Sequence, residues 1–331
     1  MPDVLRVGII GAGDFGAQHA RAISTLEGVC LVAASRTSEA ALAEFTRTYG
    51  GKGYTDYRDL LAQGDVDAVV IATPHHLHTS VVEAAAVAGK HILLEKPMAP
   101  TLAECDAMLA VVEARGVRLM VGHTSHFVPA YQRAKALLDS GELGEVIYAH
   151  STMIRPWMTP NRRDWHLDRT SGGGMWLTIG VHVIDQLRWL AAAPVASVTA
   201  ELQTRFHRQE ADDVGVALLR FRNRTTATAV CIGYRTGVFS FVTDVTCSEG
   251  LLRIDHAKGT FVGRGETWQQ VPGSAAEDWM AQGLVREWQA FAGALASGDP
   301  MPITGDYARQ VMEVAFAAEV SAEQRREVAI A

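Results

Sequence analysis

The chain has 331 residues, 48% apolar and 20% charged, with a formal net charge of −7 at pH 7. That length holds two domains with a sizeable core, and the acidic balance argues against nucleic acid or an anionic membrane as the main partner. Cys30, Cys105, Cys231 and Cys247 lie far apart with no CxxC pair, which excludes a disulfide framework or zinc ribbon and reads as buried thiols in a reducing compartment.

No apolar run reaches membrane-spanning length. The opening "MPDVLRVGII" enters a strand almost at once, leaving no room for a signal peptide. A cytoplasmic protein is expected.

The first half alternates. "LRVGII", "VCLVAAS", "DAVVIAT", "HILLE" and "RLMVG" read as apolar strands, separated by helical stretches near Phe15–Thr25, over "EAALAEFTRTYG" and over "HTSVVEAAAVAG". Thr101 and Glu104 form a capping box that opens a further helix to about Arg115. Apolar strands alternating with amphipathic helices predict a doubly wound parallel sheet, a Rossmann domain over 1–124.

The second half changes character. A helix near Pro129–Ser140 precedes the strand "EVIYAHSTMI", an aromatic and arginine-rich loop, and a glycine-led helix from Met175 to about Leu190. "SVTAELQT", "DVGVALLRF", "TTATAVCIGY", "FSFVTDVTC" and "LLRIDHAKGTFVG" follow without helices between them. Consecutive strands of this kind predict a large mixed or antiparallel open sheet. Two helices, about Ala276–Ala296 and Gly305–Ser321, complete an α+β domain over 125–331.

Gly11-x-Gly13-x-x-Gly16 lies directly after the first strand and before a helix. Gly11 permits the tight turn, Gly13 lets backbone approach a pyrophosphate, and Gly16 lets the helix pack on the strand. The helix opening at Asp14 and Phe15 offers N–H groups and a positive dipole end to phosphates. The second strand ends in Ser35-Arg36 with no acid to bind a ribose 2′-hydroxyl. Ser35 can donate to a 2′-phosphate, and Arg36 can pair with it and stack on adenine. NADP is expected, with NAD the alternative.

"GAGDFG", "ATPHHLH", "EKPMA", the "GGG…GVHVID" block and the closing segment from "REWQAFAGAL" occur in an order and spacing that resembles the glucose–fructose oxidoreductase / inositol dehydrogenase (Gfo/Idh/MocA) family along essentially the whole chain. The resemblance implies a catalytic lysine in Glu95-Lys96-Pro97, commonly with a cis Lys-Pro bond. Lys96 follows a strand's carboxyl end, where ligands of parallel sheets bind. Its charge would stabilise a developing alkoxide, Glu95 would orient the ammonium, and Pro97 would fix the chain.

The resemblance also places Thr73, Pro74, His75 and His78 at the cofactor pocket, with His78 beginning the next helix. Members often have Asn at the position of His75. His75, His76 and His78 also invite a zinc reading, but no nearby acid or cysteine completes a site, and no metal is expected.

In "GGGMWLTIGVHVIDQLRWL", Thr178, His182, Asp185 and Trp189 share one helical face by spacing. The resemblance makes His182 the general acid/base. Many members have Asp where this chain has Thr178, which cannot carry the charge that would raise a histidine pKa. Asp185 is expected to help orient His182, and His126 stands where relatives often have Arg.

In the loop "MIRPWMTPNRRDWHLDRTSGGG" and just after it, Trp157, Trp165 and Trp176 can lie against a sugar ring. Arg155, Arg163, His166 and Asp168 can hydrogen-bond hydroxyls or a carboxylate. The same residues could instead form a dimer contact or a salt-bridged loop.

The function expected is NAD(P)-dependent hydride transfer to or from a secondary alcohol or ketone of a sugar, cyclitol or related cyclic diol, with substrate between the domains. A glycoside-cleaving enzyme using bound dinucleotide transiently and a non-catalytic dinucleotide sensor are the alternatives. The resemblance implies a homodimer or homotetramer through the second sheet.

Overall fold

The structure is a computed structural model that describes residues 4–160 and 162–331. The chain divides into two compact units: one of 1–124 with 284–309, the other of 125–283 with 310–331. The stretch read as one domain over 125–331 is therefore interrupted, because Leu284–Arg309 joins the first unit.

The first unit carries β1 (Leu5–Ile10), α1 (Asp14–Ser24), β2 (Val29–Ser35), α2 (Glu39–Tyr49), β3 (Lys52–Tyr54), α3 (Tyr57–Leu61), β4 (Ala68–Ile71), α4 (His78–Val87), β5 (His91–Glu95), α5 (Leu102–Arg115) and β6 (Leu119–Gly122). All strands are parallel, in the order β3-β2-β1-β4-β5-β6. β4 is buried at every position, and so is β5 apart from its first residue, because helices cover both faces. Thr101 caps α5 by accepting from the Glu104 N–H, and Gly116 ends it with a left-handed φ of 64°.

The register places Ile10 beside Ser35 and Ile71, and Ile71 beside Leu94. The carboxyl ends of β2, β1, β4 and β5 therefore stand side by side. They lead into Arg36, the glycine turn, Thr73-Pro74 and Glu95-Lys96-Pro97 respectively. The strand order changes direction between β1 and β4, which makes this edge the topological switch point where such sheets bind ligands.

The second unit contains α6 (Pro129–Asp139), β7 (Val146–Pro156), α7 (Val181–Ala191), β8 (Val195–Gln203), β9 (Val214–Phe221), β10 (Thr226–Tyr234), β11 (Ser240–Cys247), β12 (Gly250–Asp255), β13 (Gly259–Arg264), β14 (Thr267–Gln270) and the edge strand Val328–Ala329, β15. Helices α8 (Trp279–Ser297) and α9 (Gly305–Gln324) complete the chain. The nine-stranded sheet runs β14-β13-β12-β11-β7-β10-β9-β8-β15. β7 and β10 are parallel inside an otherwise antiparallel sheet, so it is mixed.

Strand alternation gives this sheet two unlike faces. Gly215, Cys231, Met153 and Phe241 form one buried row across β9, β10, β7 and β11. The next row, Val216, Val230, Thr152 and Val242, is at least partly exposed.

Candidate active site

In the first unit, Gly11 has a φ of +96° and no room for a side chain, because a Cβ would fall 2.5 Å from the Ala72 carbonyl oxygen. A Cβ on Gly16 would meet the Gly11 carbonyl oxygen at 2.4 Å, whereas one on Gly13 would meet nothing within 4 Å. So Gly11 and Gly16 serve packing, and Gly13 keeps an open backbone face. Helix α1 starts at Asp14 and Phe15 without a side-chain cap, which leaves first-turn N–H groups for an anion.

The Thr73 hydroxyl is buried with no hydrogen-bond partner among the described residues. An open glycine face, an uncapped helix start and an orphaned hydroxyl fit a dinucleotide. Ser35 is buried, and its carbonyl anchors the turn by accepting from the Gly11 and Ala12 N–H groups. Arg36 reaches back to the same turn, with Nη1 donating to the Ala12 carbonyl at 3.1 Å. Any reading of a 2′-phosphate therefore falls mainly on Arg36.

At the end of β5, Lys96 is half-buried and the Lys96-Pro97 bond is cis. His78 begins α4 but is fully buried. Its Nδ1 lies 3.0 Å from the Pro97 carbonyl oxygen and its Nε2 lies 3.0 Å from that of Thr73. Burial pushes its pKa down, so the neutral ring donates to one carbonyl at a time. His78 therefore braces the Thr73 turn against the Lys96-Pro97 turn, with both ring nitrogens facing backbone carbonyls. His75 is buried beside it, at 5.7 Å between ring centroids, and His76 is exposed.

Glu95 is occupied by a group the sequence reading did not include. Its Oε1 lies 2.9 Å from His19 Nε2, and Trp288 Nε1 donates to His19 Nδ1 at 3.0 Å. Glu287 completes a buried trio with His19 and Glu95, their ligand-type atoms all within 4.8 Å. The spacing would suit a cation, but the hydrogen bonding does not. An indole N–H only donates, so His19 Nδ1 must accept, and Nε2 carries the proton given to Glu95. Neither imidazole lone pair is left for a metal. Burial and the nearby Glu95 charge push the Glu287 pKa well up, opposed by the Thr124 hydroxyl, so Glu287 is held as an acid.

In the second unit, Trp176–Gly180 is a π-helical turn leading into α7. A continuous helix from Met175 was expected. The wider turn carries Thr178 and shifts it out of simple helical register with His182. Two close approaches accompany it: a Cβ on Gly180 or Gly215 would fall 2.7 Å or 2.5 Å from the Trp176 ring. Asp212 Oδ1 accepts from the Trp176 N–H at 2.7 Å. Burial pushes the Asp212 carboxyl up to about 7.

His182 is half-buried at the second position of α7. Asp185 Oδ1 lies 2.9 Å from His126 Nε2, and the His126 ring stacks on Trp189 at 4.0 Å. Asp185 was expected to orient His182, and its pairing with His126 was not foreseen.

The loop after β7 corrects several readings. Trp157 and Trp176 are fully buried, with indole N–H groups donating to Gln209 Oε1 and the Ala315 carbonyl, so neither is a sugar platform. Asp168 accepts from the Thr170 N–H and from the Thr170 and Ser171 hydroxyls, and this holds its carboxyl below the usual range. Trp165 is half-buried and stacks on the buried His166 at 3.6 Å. Arg163 is exposed and turns onto the Pro160 carbonyl. Its neighbour Arg162, which the sequence reading passed over, lies 4.4 Å above the Trp157 ring. Arg155 is half-buried over Phe239.

Residues 5–123 match the profile described as "Oxidoreductase family, NAD-binding Rossmann fold" and residues 131–253 match "GFO/IDH/MocA C-terminal domain". The chain belongs to the Gfo/Idh/MocA oxidoreductase family. It is 34% identical over 231 residues to the 1-carboxy-3-chloro-3,4-dihydroxycyclohexa-1,5-diene dehydrogenase of Comamonas testosteroni, covering 70% of this chain and 58% of that relative's length. It is 31% identical to the D-xylose 1-dehydrogenase [NADP(+)] of Haloarcula marismortui, over 76% of this chain and 72% of the other. Among solved structures, GenD2 from gentamicin A biosynthesis in complex with NAD superposes with a TM-score of 0.89 at 25% identity, covering 100% of this chain and 97% of that one. Members of this family are oxidoreductases, and among the described residues no helix is long and apolar enough to cross a membrane.

Proposed function

We propose that the protein is an NADP-preferring dehydrogenase or reductase of a secondary alcohol on a sugar, cyclitol or related cyclic diol. The observation that carries this reading is the shared carboxyl edge of β2, β1, β4 and β5, where Arg36, the glycine turn, Thr73 and Lys96 stand in neighbouring positions. Relatives named for a xylose and for a carboxylated cyclic diol support the substrate class.

Gly11, Gly13, Asp14, Phe15, Gly16, Thr73 and Pro74 would hold the dinucleotide, with His75 beside them and His78 fixing the Thr73 turn. When bound, the nicotinamide supplies or accepts a hydride. Lys96 donates a hydrogen bond to the substrate oxygen and stabilises negative charge that develops on it. His182 takes the hydroxyl proton in oxidation and returns it in reduction. Thr178 and His126 would orient the substrate through hydrogen bonds.

The partly exposed apolar row on the nine-stranded sheet supports self-association through that face. Val216 is 41% exposed there, Leu251 42% and Tyr148 37%, so large apolar groups from β9, β12 and β7 share this face.

The test is cofactor binding to purified protein followed by an absorbance screen at 340 nm over sugars, polyols and their keto forms. Turnover is expected, tighter binding of NADP(H) than NAD(H), and a loss of about 10³-fold in kcat for Lys96→Ala with cofactor affinity retained. Cofactor binding without turnover on any alcohol or ketone would refute the dehydrogenase reading.

A further inference from the structure

Four arginines of the second unit have carboxylate partners: Arg169 with Glu319, Arg220 with Glu327, Arg253 with Asp244 and Arg264 with Glu142. Arg155 and Arg162 do not, although both are half-buried. Among the described residues neither makes an ion pair. Each gives only Nε to a backbone carbonyl, Arg155 to Pro156 at 3.4 Å and Arg162 to Trp157 at 3.3 Å. A guanidinium has five N–H donors, so the terminal nitrogens of both are unspent.

Both guanidiniums are held in place by aromatic rings, Arg162 at 4.4 Å over Trp157 and Arg155 at 5.7 Å over Phe239. Burial lowers the pKa of each, and the nearby Arg155 charge pushes Arg162 further, to about 10. Two desolvated like charges side by side oppose folding unless an anion joins them.

The Trp157 platform beneath Arg162 is fixed to the segment that carries Thr178 and His182. Trp157 Nε1 donates to Gln209 Oε1, and Gln209 Nε2 donates to the Asp212 carbonyl. The Asp212 side chain in turn holds the Trp176 N–H that opens the π turn. Gly233 packs against both Trp157 and Met175, where a Cβ would have no room.

We propose that Arg155 and Arg162 form the seat for an oxyanion carried by the substrate, a carboxylate or a phosphate ester, so that the preferred substrate is an acidic cyclic alcohol or sugar acid rather than a neutral polyol. The proposal rests on the dehydrogenase reading for its substrate but not for its binding site. Planar guanidiniums pair with such groups through two parallel hydrogen bonds. Anchoring the charged end at a fixed distance from the π turn sets which carbinol reaches His182.

The experiment compares matched compounds on the full chain: glucose with glucuronate and glucose 6-phosphate, and a cyclohexane polyol with its carboxylated analogue such as quinate. Turnover at 340 nm and direct binding by calorimetry are both measured, at low and high salt. An acid is expected to bind at least about tenfold tighter than its neutral partner, with added salt narrowing the gap. The carboxylate and phosphate arms separate the two sources of the oxyanion.

Arg155→Gln and Arg162→Gln should each raise KM for the acid about tenfold, and Arg→Lys should restore part of that loss. Thermal melts and cofactor affinity identify any variant that has simply failed to fold. If a variant does fail, the salt dependence of wild-type binding still decides. Turnover of neutral polyols with no preference for acids would overturn the anion seat and leave the dehydrogenase reading standing. Arginine-dependent acid binding without turnover would do the reverse. Absence of both turnover and acid binding would overturn both.

Discussion

Arg36 lies beside the glycine turn, its Nη1 on the Ala12 carbonyl, and β2 runs directly into Ser35-Arg36 with no carboxylate at its end to repel a phosphate. Arg36→Ala is expected to weaken NADP(H) binding by about tenfold or more with little effect on NAD(H). Fluorescence titration with the two reduced cofactors measures the ratio, and equal losses for both would assign Arg36 a general rather than a discriminating role. Asp212 makes a different kind of prediction. Its folded pKa is raised to about 7, while an unfolded aspartate titrates near pH 4. Between those values the folded state holds the extra proton, so stability falls as pH rises from about 4 to about 7. Asp212→Asn keeps an acceptor for the Trp176 N–H and removes the charge. Its denaturation midpoint should vary less than that of wild type over this window, and an unchanged slope would place the titration elsewhere.

At the scale of elements, the parts legible in sequence were those with strong periodicity. Five parallel strands and the large mixed sheet follow from apolar runs and spacing, and the structure has both. β3 and β14 were missed because they span three and four residues and are mostly or wholly exposed, so no apolar signal marks them. The segment "LLRIDHAKGTFVG" reads as one strand but folds as a hairpin, since Asp255 accepts from the Ala257 and Lys258 N–H groups and turns the chain.

The π turn was invisible for a physical reason. One extra residue per turn leaves composition unchanged, and only the Trp176 ring packed against Gly180 and Gly215 marks the turn. The contrast between exposed Arg163 and Arg162 over the Trp157 ring is equally hidden in sequence, because adjacent identical residues differ only in which one lands on a ring. Gly215→Ala should therefore destabilise the protein by about 1–3 kcal/mol, as a Cβ there meets a buried aromatic ring rather than a movable chain end. Chemical denaturation checks this, and a near-neutral effect would mean the π turn can relax.

For the whole molecule, the open face of the nine-stranded sheet is the feature with the widest consequence. Val216 and Val230 are in register on neighbouring strands with Thr152 and Val242 beyond them. If this face is where copies meet, Val216→Glu should lower the assembly state by placing a charge in an apolar contact. Sedimentation velocity before and after the substitution gives the answer, and a wild-type monomer at micromolar concentration would remove the assignment.

The trio His19, Glu95 and Glu287, with Trp288, carries a consequence for synthesis. His19 and Glu95 leave the ribosome early, whereas Glu287 and Trp288 follow only after nearly all of the second unit has been made. Until then the nascent first unit holds a buried imidazole whose Nδ1 awaits its indole donor. Cotranslational folding of that unit from its amino-terminal residues alone is thereby left incomplete. A gene cut near residue 124 would not release an independent half. It would divide one hydrogen-bonded core between two polypeptides, and each would carry a surface made to be interior.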